Sequence, residues 1–453
     1  MAINIQQQPT SPNMVNNNLV YTCTSTQVTQ PQFQFVVDIK DESGTLIQRV
    51  KQQPNPNARG VFDLGQLLPP QLGPTDEVWN ITEVTANTAS GGDFNIYFGE
   101  EYGTSPSSSV ILYNGINTTP NQSPAKSGSD YYFLVDGFAN PNDLVDWNWN
   151  SGSKYEYEDP NDDVTFTYQV GLTNFDTSSV KEGDYHTISF LRGNLSGDAT
   201  PFINEAQDIF SATYKQYDAT GSLLDTDIIY DTTTGLRAST SEFWYDVYTS
   251  QSESTRLVHW PAGPQNIEDA GIPILADTAY YTITFNPQAT DSFPNENGVW
   301  GEYRFNIDNS NCAYPGVRFA WKNEYGVWDY FNFSLAESTT GNVEREQYEQ
   351  TFVDFSTSTN SVVYDKQRRG KNNYYNKITK QRTANTDYLT QVNADNLREL
   401  FFSTDVYVQE SSGVYLPVVI NTASVTEKTN PRSQKLFRYE IQYQYANDER
   451  SRR

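Results

Sequence analysis

Alternation with period two dominates the chain. Phe33, Phe35, Val37 and Ile39 alternate with mostly polar residues, as do Val164, Phe166, Tyr168 and Val170. The pattern recurs at Tyr281, Ile283 and Phe285, at Tyr303, Phe305 and Ile307, and at Val317, Phe319 and Trp321. Its cleanest instance is Phe437, Tyr439, Ile441, Tyr443 and Tyr445, interleaved with Arg438, Glu440, Gln442 and Gln444. Such spacing predicts strands with one face on a core and the other in water, built from residue types that favour strands. Many short strands punctuated by 27 Gly and 22 Pro predict an all-β chain,. The expected architecture is several β-sandwich modules, immunoglobulin- or fibronectin-like, with short helical decorations.

Three segments share a turn signature: Asp41 to Gly44, Asp218 to Gly221 and Asn323 to Gly326, each between strand-like runs. Asp or Asn opens a type I turn and Gly takes the left-handed position that closes the hairpin. Glu410 to Gly413 is a looser fourth case. Helical signals are few. Asn393 is placed to cap a helix carrying Leu397, Leu400 and Phe401, and Ile203 to Ile209 suits a turn or two,. Expected boundaries are an N-terminal arm over 1–17, domains over 18–115, 129–290 and 291–360, a linker over 116–128, and a C-terminal docking unit over 361–453. The arm has too few apolar residues to fold alone, so its expected order comes from a partner.

Charge narrows the chemistry. The 453 residues carry 30 Lys+Arg against 56 Asp+Glu, net −26, which repels phosphate and argues against nucleic acid as a partner,. Aromatics reach 14%, enough to build large cores from a modest 36% of hydrophobic residues,. Two cysteines, Cys23 and Cys312, exclude a disulfide framework and are expected as free thiols, with one long-range bridge between them as the alternative,. No signal peptide or membrane-spanning run is recognised, so synthesis in a cytosol is expected and Asn80, Asn117, Asn121, Asn194 and Asn332 are chance glycosylation matches,.

Candidate sites are sparse. Glu156, Glu158, Asp159, Asp162 and Asp163 offer hard oxygen ligands without EF-hand spacing, which suits a solvated acidic loop better than a calcium site,. Glu100 and Glu101 are adjacent in a strand and so point to opposite faces, which bars them as a glycosidase pair,. His186 and His259 lack a nucleophile elbow and are read as structural or surface residues,. With no nucleotide fingerprint or zinc pair either, no enzyme activity, cofactor or metal is expected. Trp147 and Trp149, in a polar Asp-Trp-Asn-Trp-Asn context, suit stacking on a sugar ring or filling an interface,. One basic island stands out: Lys366, Arg368, Arg369, Lys371, Lys377, Lys380 and Arg382 place seven of the 30 cations in 17 residues. On an acidic protein it suits docking onto an acidic neighbour, another copy included.

The stretch from Pro315 through Trp321-Lys-Asn-Glu-Tyr-Gly-Val-Trp-Asp-Tyr-Phe-Asn-Phe333 resembles a hairpin recurrent in structural proteins of bacteriophage virions. The segments Leu397–Val408, Leu416–Ile420, Ala446–Arg453 and Pro54–Leu68 are similar to the same group. The resemblance implies a structural role in the virion without saying in which part. The expectation adopted is a tail-associated component assembled in the host cytoplasm, with other virion proteins and copies of itself as partners and no membrane. A host-surface adhesin binding glycan through Trp147 and Trp149 is the alternative, and a β-sandwich polysaccharide hydrolase ranks last.

Overall fold

A computed structural model describes residues 3–7, 13–41, 44–65, 67–68, 79–86, 91–103, 110–113, 121–123, 132–137, 170–191, 209–230, 237–239, 257–287, 300–309, 316–351, 353–364, 367, 370–422, 437–447 and 449–452. The chain is all-β. Among the described residues helix is confined to Pro264–Asp269, Gln391–Leu397 and Glu399–Phe402. Two compact units are present: 1–310 with 321–330, and 311–320 with 331–453.

The first unit holds two sandwiches. In one, a sheet ordered Ile3–Gln7, Val20–Ser25, Arg59–Asp63 faces a sheet that runs from Asn13–Met14 through Tyr132–Val135, Gly91–Tyr102 and Gln34–Asp41 to Leu46–Gln52. The inward positions of the alternating runs meet between them. Tyr21 and Phe62 from one sheet pack on Phe98 of the other, with ring centroids 5.4 and 6.3 Å apart. Phe33, Phe35, Val37 and Ile39 are all buried here, as their spacing predicts. The N-terminal segment departs from the expected arm. Ile3–Gln7 pairs antiparallel with Val20–Ser25, and Ile3, Met14 and Val15 are buried. These few apolar anchors suffice because the neighbouring strand satisfies the backbone.

The second sandwich sets Val170–Gly171, Thr187–Leu191, Leu257–Pro261 and Thr85–Ala86 against a sheet ordered Thr177–Val180, Trp300–Ile307, Tyr280–Pro287, Ile209–Tyr217, Leu223–Tyr230, Arg237–Ser239. Trp260 and Phe190 pack on Phe285 across it, at 5.3 and 5.6 Å. Two expected boundaries dissolve. Trp300–Ile307, assigned to a third module by the boundary at 290, is the ladder neighbour of Tyr280–Pro287. Residues 79–86, assigned to the first domain, join this sandwich: Thr85–Ala86 pairs with Leu257–Pro261, and Asn266 Nδ2 donates to the carbonyls of Trp79 and Ile81 at 2.7 and 2.8 Å. Residues 209 onward are strand, where a helix over Ile203 to Ile209 was expected; 203–208 lie outside the described residues.

The shared turn signature is realised in one geometry. Gly44, Gly221 and Gly326 take φ of +81°, +83° and +77°. Their N–H groups donate to the carbonyls of Asp41, Asp218 and Asn323 at 2.9, 3.1 and 3.0 Å. Each opening side chain also accepts from the backbone N–H four residues on, that of Thr45, Ser222 or Val327. The short polar side chain thus closes the turn that the left-handed glycine shapes.

A further sheet runs from Trp328–Phe333 through Val317–Lys322, Val406–Ser411, Val414–Ile420, Glu440–Tyr445 and Lys371–Asn385 to Ser338–Glu349, and Glu449–Arg452 also pairs with Lys371–Asn385. Phe319 packs on Phe333 and Tyr443 at 4.9 and 5.1 Å. Phe437, Tyr439, Ile441 and Tyr443 are buried as the alternation predicts. The helix begins one turn earlier than expected, because Thr390 is its cap: Thr390 Oγ1 accepts from the Asn393 N–H at 3.3 Å. Leu397 and Leu400 are fully buried.

Candidate docking arm

Ser338–Glu349 and Lys371–Asn385 form a long antiparallel ribbon at one edge of their sheet. The register runs from Ser338 opposite Thr383 to Glu349 opposite Lys371, with a bulge beside Glu346 and Gln347. Twelve residues in strand span about 36–40 Å at ~3.3 Å each. Near its root the ribbon is flanked by Glu440–Tyr445 and Glu449–Arg452, whose ladders end at Asn376. Beyond Asn376 it has two strands only among the described residues. A second short hairpin, Val353–Ser356 with Ser361–Tyr364, continues it.

Burial sets this segment apart. All twelve residues of Ser338–Glu349 are exposed, on both faces of the strand. Ser361–Tyr364 is likewise exposed throughout. A strand ordinarily covers one face with a core; this one covers neither. The exposed side chains are not uniformly polar. Val343 and Ile378 stand opposite each other, and Tyr348 packs beside Tyr374 with centroids 6.2 Å apart. At the tip, Phe355 faces Val362 across the ladder and Val353 faces Tyr364, so the four share one face,. Phe355 is 58% and Tyr364 69% exposed.

The polar side chains within the ribbon fix its shape. Tyr374 donates its hydroxyl to the Glu346 carboxylate, and that acceptor pushes the phenol pKa up. Asn372 Nδ2 donates to Gln350 Oε1 at 3.1 Å, and the Gln350 N–H donates to the Gly370 carbonyl at 2.7 Å. At the root, Arg382 Nη1 lies 3.3 Å from Glu337 Oε1 and its guanidinium sits 4.5 Å from the centre of the Tyr445 ring. Tyr443 donates to the same Glu337 oxygen at 2.8 Å; burial first, then this bond, raises its pKa.

These contacts revise the basic island. Expected as a loop, it is strand from Lys371 onward. Arg382 is taken up at the root, so it anchors the arm instead of reaching outward. Lys377 stands opposite Glu344, and Lys380, opposite Gly341, is half-buried. Lys371 is 70% exposed, 3.4 Å from an equally open Glu349. Lys366, Arg368 and Arg369 lie outside the described residues. Arg345, which the sequence reading did not single out, adds an exposed cation.

The remaining candidates resolve into the core or fall outside it. Trp147, Trp149 and the acidic cluster 156–163 lie outside the described residues, as does Cys312; Cys23 is a buried thiol whose pKa burial pushes up to about 12. His259 is buried, with Nδ1 2.6 Å from Ser189 Oγ, and burial lowers its pKa to about 3, so it is neutral. His186 lies tilted against Tyr330 and edge-on to Phe305. Glu100 points inward to accept from Ser25 Oγ at 2.5 Å, while Glu101 pairs with Lys51 at 2.5 Å. Their opposed directions match the adjacency argument. Among the described residues no helix is long and apolar enough to cross a membrane, which says nothing of a β-barrel, and no group of three metal-ligating side chains occurs.

Comparison with known proteins adds little. No family model matches the chain, and no curated protein does. One solved structure, "The Bacillus anthracis TIE protein", aligns over 85% of this chain and 70% of its own at 8% identity, with a TM-score of 0.11. At that score it carries no argument.

Proposed function

We propose that this chain is a structural component of a bacteriophage virion, tail-associated, that assembles through repeated contacts made by the arm 338–382. The observation that carries the assembly reading is the Ser338–Glu349 strand, exposed at every position, and the uncovered apolar tip beyond it. An isolated two-stranded ribbon is marginal in water, and an open strand edge invites pairing with another chain. Apolar side chains concentrated on such an element mark an interaction surface. The virion assignment itself rests on the resemblance of Pro315–Phe333 and the segments around it.

The experiment is a deletion that spares the fold. Arg345 and Asn376 are ladder partners, and Asn376 is the last position flanked by Glu449–Arg452, so a two-residue Asn-Gly turn can join them in place of 346–375. The shortened chain is expected to keep its melting temperature and to be absent from purified particles in which the full chain is found. Normal incorporation of the shortened chain would overturn the assembly role. Labelled full-length protein absent from particles altogether would overturn the virion assignment.

A further inference from the structure

The strand Ser338–Glu349 ends the order of its sheet, and among the described residues only Lys371–Asn385 pairs with it. One row of its backbone N–H and C=O groups faces away from the ribbon, with no described strand beside it. Natural proteins blunt such an edge with Lys, Pro, a bulge or a short strand. This edge has none of these. It runs for twelve residues without Lys or Pro, and the extra residue at the bulge, Tyr374, belongs to the partner strand. Side chains along Ser338–Glu349 therefore alternate without interruption. Val343, Arg345, Gln347 and Glu349 share one face, and Glu344, Glu346 and Tyr348 share the other. All are exposed.

An open edge takes up another strand through its backbone, and the side chains decide which strand. The pattern here complements itself. When two copies of one strand pair antiparallel about a two-fold axis, the axis passes between a residue and its own copy. Residues equally far to either side then stand opposite each other on one face. Arg345 is the sole cation of the strand. Glu344 and Glu346 point to the other face and cannot meet it. Glu349 shares its face, and an axis at Gln347 sets Arg345 of each copy opposite Glu349 of the other. Glu349 then lies between that guanidinium and Lys371 of its own copy, 3.4 Å away. On the reverse face Glu346 meets Tyr348. An axis at Glu344, Arg345 or Glu346 opposes like charges instead, which is unfavourable. The ladder centred on Gln347 reaches from Val343 to Thr351, and Gln350 within that span is still bonded to Gly370 across the ribbon.

We infer that the open edge of the arm pairs with the same edge of a second copy of this chain, antiparallel and centred on Gln347. The inference deepens the assembly reading above by naming the partner, and rests on it, but it does not need the virion assignment. The same surface serves both copies, so the contact closes on itself. Each edge occupies the other, and the chain forms pairs that do not grow into a filament through this contact.

The test exploits that symmetry. Sedimentation of the full chain is expected to show a dimer. Arg345→Glu opposes carboxylates at both ends of the pairing and Glu349→Arg opposes guanidinium groups, so each alone should weaken the dimer about tenfold. A one-to-one mixture of the two variants restores unlike charges at both ends and should form a heterodimer as tight as the wild-type dimer. Gln347→Cys should give an interchain disulfide on mild oxidation, because directly opposed Cα atoms lie about 4.5–5.5 Å apart. Arg345→Cys, about 13 Å from its own copy along the strand, should not. The wild-type chain controls for Cys23 and Cys312. Circular dichroism checks that each variant is folded, and the two cysteine variants decide alone should a charge variant unfold. A dimer that neither charge variant weakens, a mixture that does not recover, or a cross-link at position 345 and not at 347 would overturn the pairing. A wild-type chain that stays monomeric at every concentration overturns the inference, and the deletion of 346–375 then decides separately whether the arm serves assembly with a different partner.

Discussion

The tip of the arm separates folding from assembly, and Phe355→Ser with Tyr364→Ser puts numbers on the separation. Phe355 is 58% and Tyr364 69% exposed, so less than half of each ring is covered in the free chain. Full burial of a large apolar side chain stabilises by about 1.5–3 kcal/mol. The folded monomer therefore draws about 1 kcal/mol or less from each ring, and a neighbour that covers the remainder gains about 1–2 kcal/mol from each. The tip is a hairpin with its own ladder, and loosening it does not open the core beneath Phe319 and Tyr443,. A loss of this size shifts a midpoint by only a few degrees. Association should fall by about 2–4 kcal/mol in total, about 30- to 700-fold. Thermal melting of the variant and competition with the wild-type chain for incorporation into particles read the two quantities separately. A melting drop beyond about 10 °C would mean the rings belong to the core, and unchanged incorporation would mean that nothing covers the tip; either result refutes the reasoning.

Other positions test the fold directly. Trp260→Ala empties the centre of the second sandwich, where Trp260 is 2% exposed, and should cost about 3–5 kcal/mol in denaturant titrations,. Gly44→Ala and Gly326→Ala share a left-handed backbone, but a Cβ at Gly44 meets open space whereas one at Gly326 would lie 2.4 Å from the Asp136 carbonyl oxygen; denaturant titrations should find the first costing about 1 kcal/mol and the second clearly more. Burial raises the Glu100 pKa above its unfolded value, so its contribution favours folding at low pH and is lost as pH rises through the folded value; Glu100→Gln should stabilise the chain more at pH 8 than at pH 4. His259 runs the other way. Its pKa falls to about 3 in the fold, so its contribution is present above the unfolded value of about 6.5 and is lost as pH drops toward 3, a loss that His259→Gln should remove from the pH profile of the melting midpoint.

The sandwiches were legible in the sequence because each strand there divides its side chains between core and water. Tyr281, Ile283 and Phe285, and Ile441 and Tyr443, alternate for that reason and are buried for that reason. The three turns were legible because their geometry is local: an Asp or Asn and a glycine three residues on settle it without reference to the rest of the fold. The pairing of Thr85–Ala86 with Leu257–Pro261 was not legible, since more than 170 residues separate the partners and two residues set no period. The cap at Thr390 was missed for a smaller reason. Asn393 suits a cap equally well by residue type, and the choice depends on the isolated bridge from Leu389 to Phe437, which fixes where the helix starts.

The arm was read as a basic loop, and the physical reason is the same property that makes it a candidate site. A strand is recognised by a difference between its two faces, and Ser338–Glu349 has no such difference because neither face meets a core. Its apolar residues Val343 and Tyr348 are five apart, and Tyr374 and Tyr375 are adjacent on the partner strand, so neither run keeps a period of two. What holds the ribbon in place is instead a handful of specific contacts at its root, with Arg382 between Glu337 and Tyr445 and Gln381 Nε2 donating to Gln442 Oε1 at 2.9 Å. Local pattern and final structure disagree in natural chains mainly where function demands it. A twelve-residue edge left uncovered, with apolar side chains on it, is a liability for a chain that works alone. It becomes an asset once a neighbour pairs with it, and the opposition of Arg345 and Glu349 across that pairing favours a neighbour of the same kind.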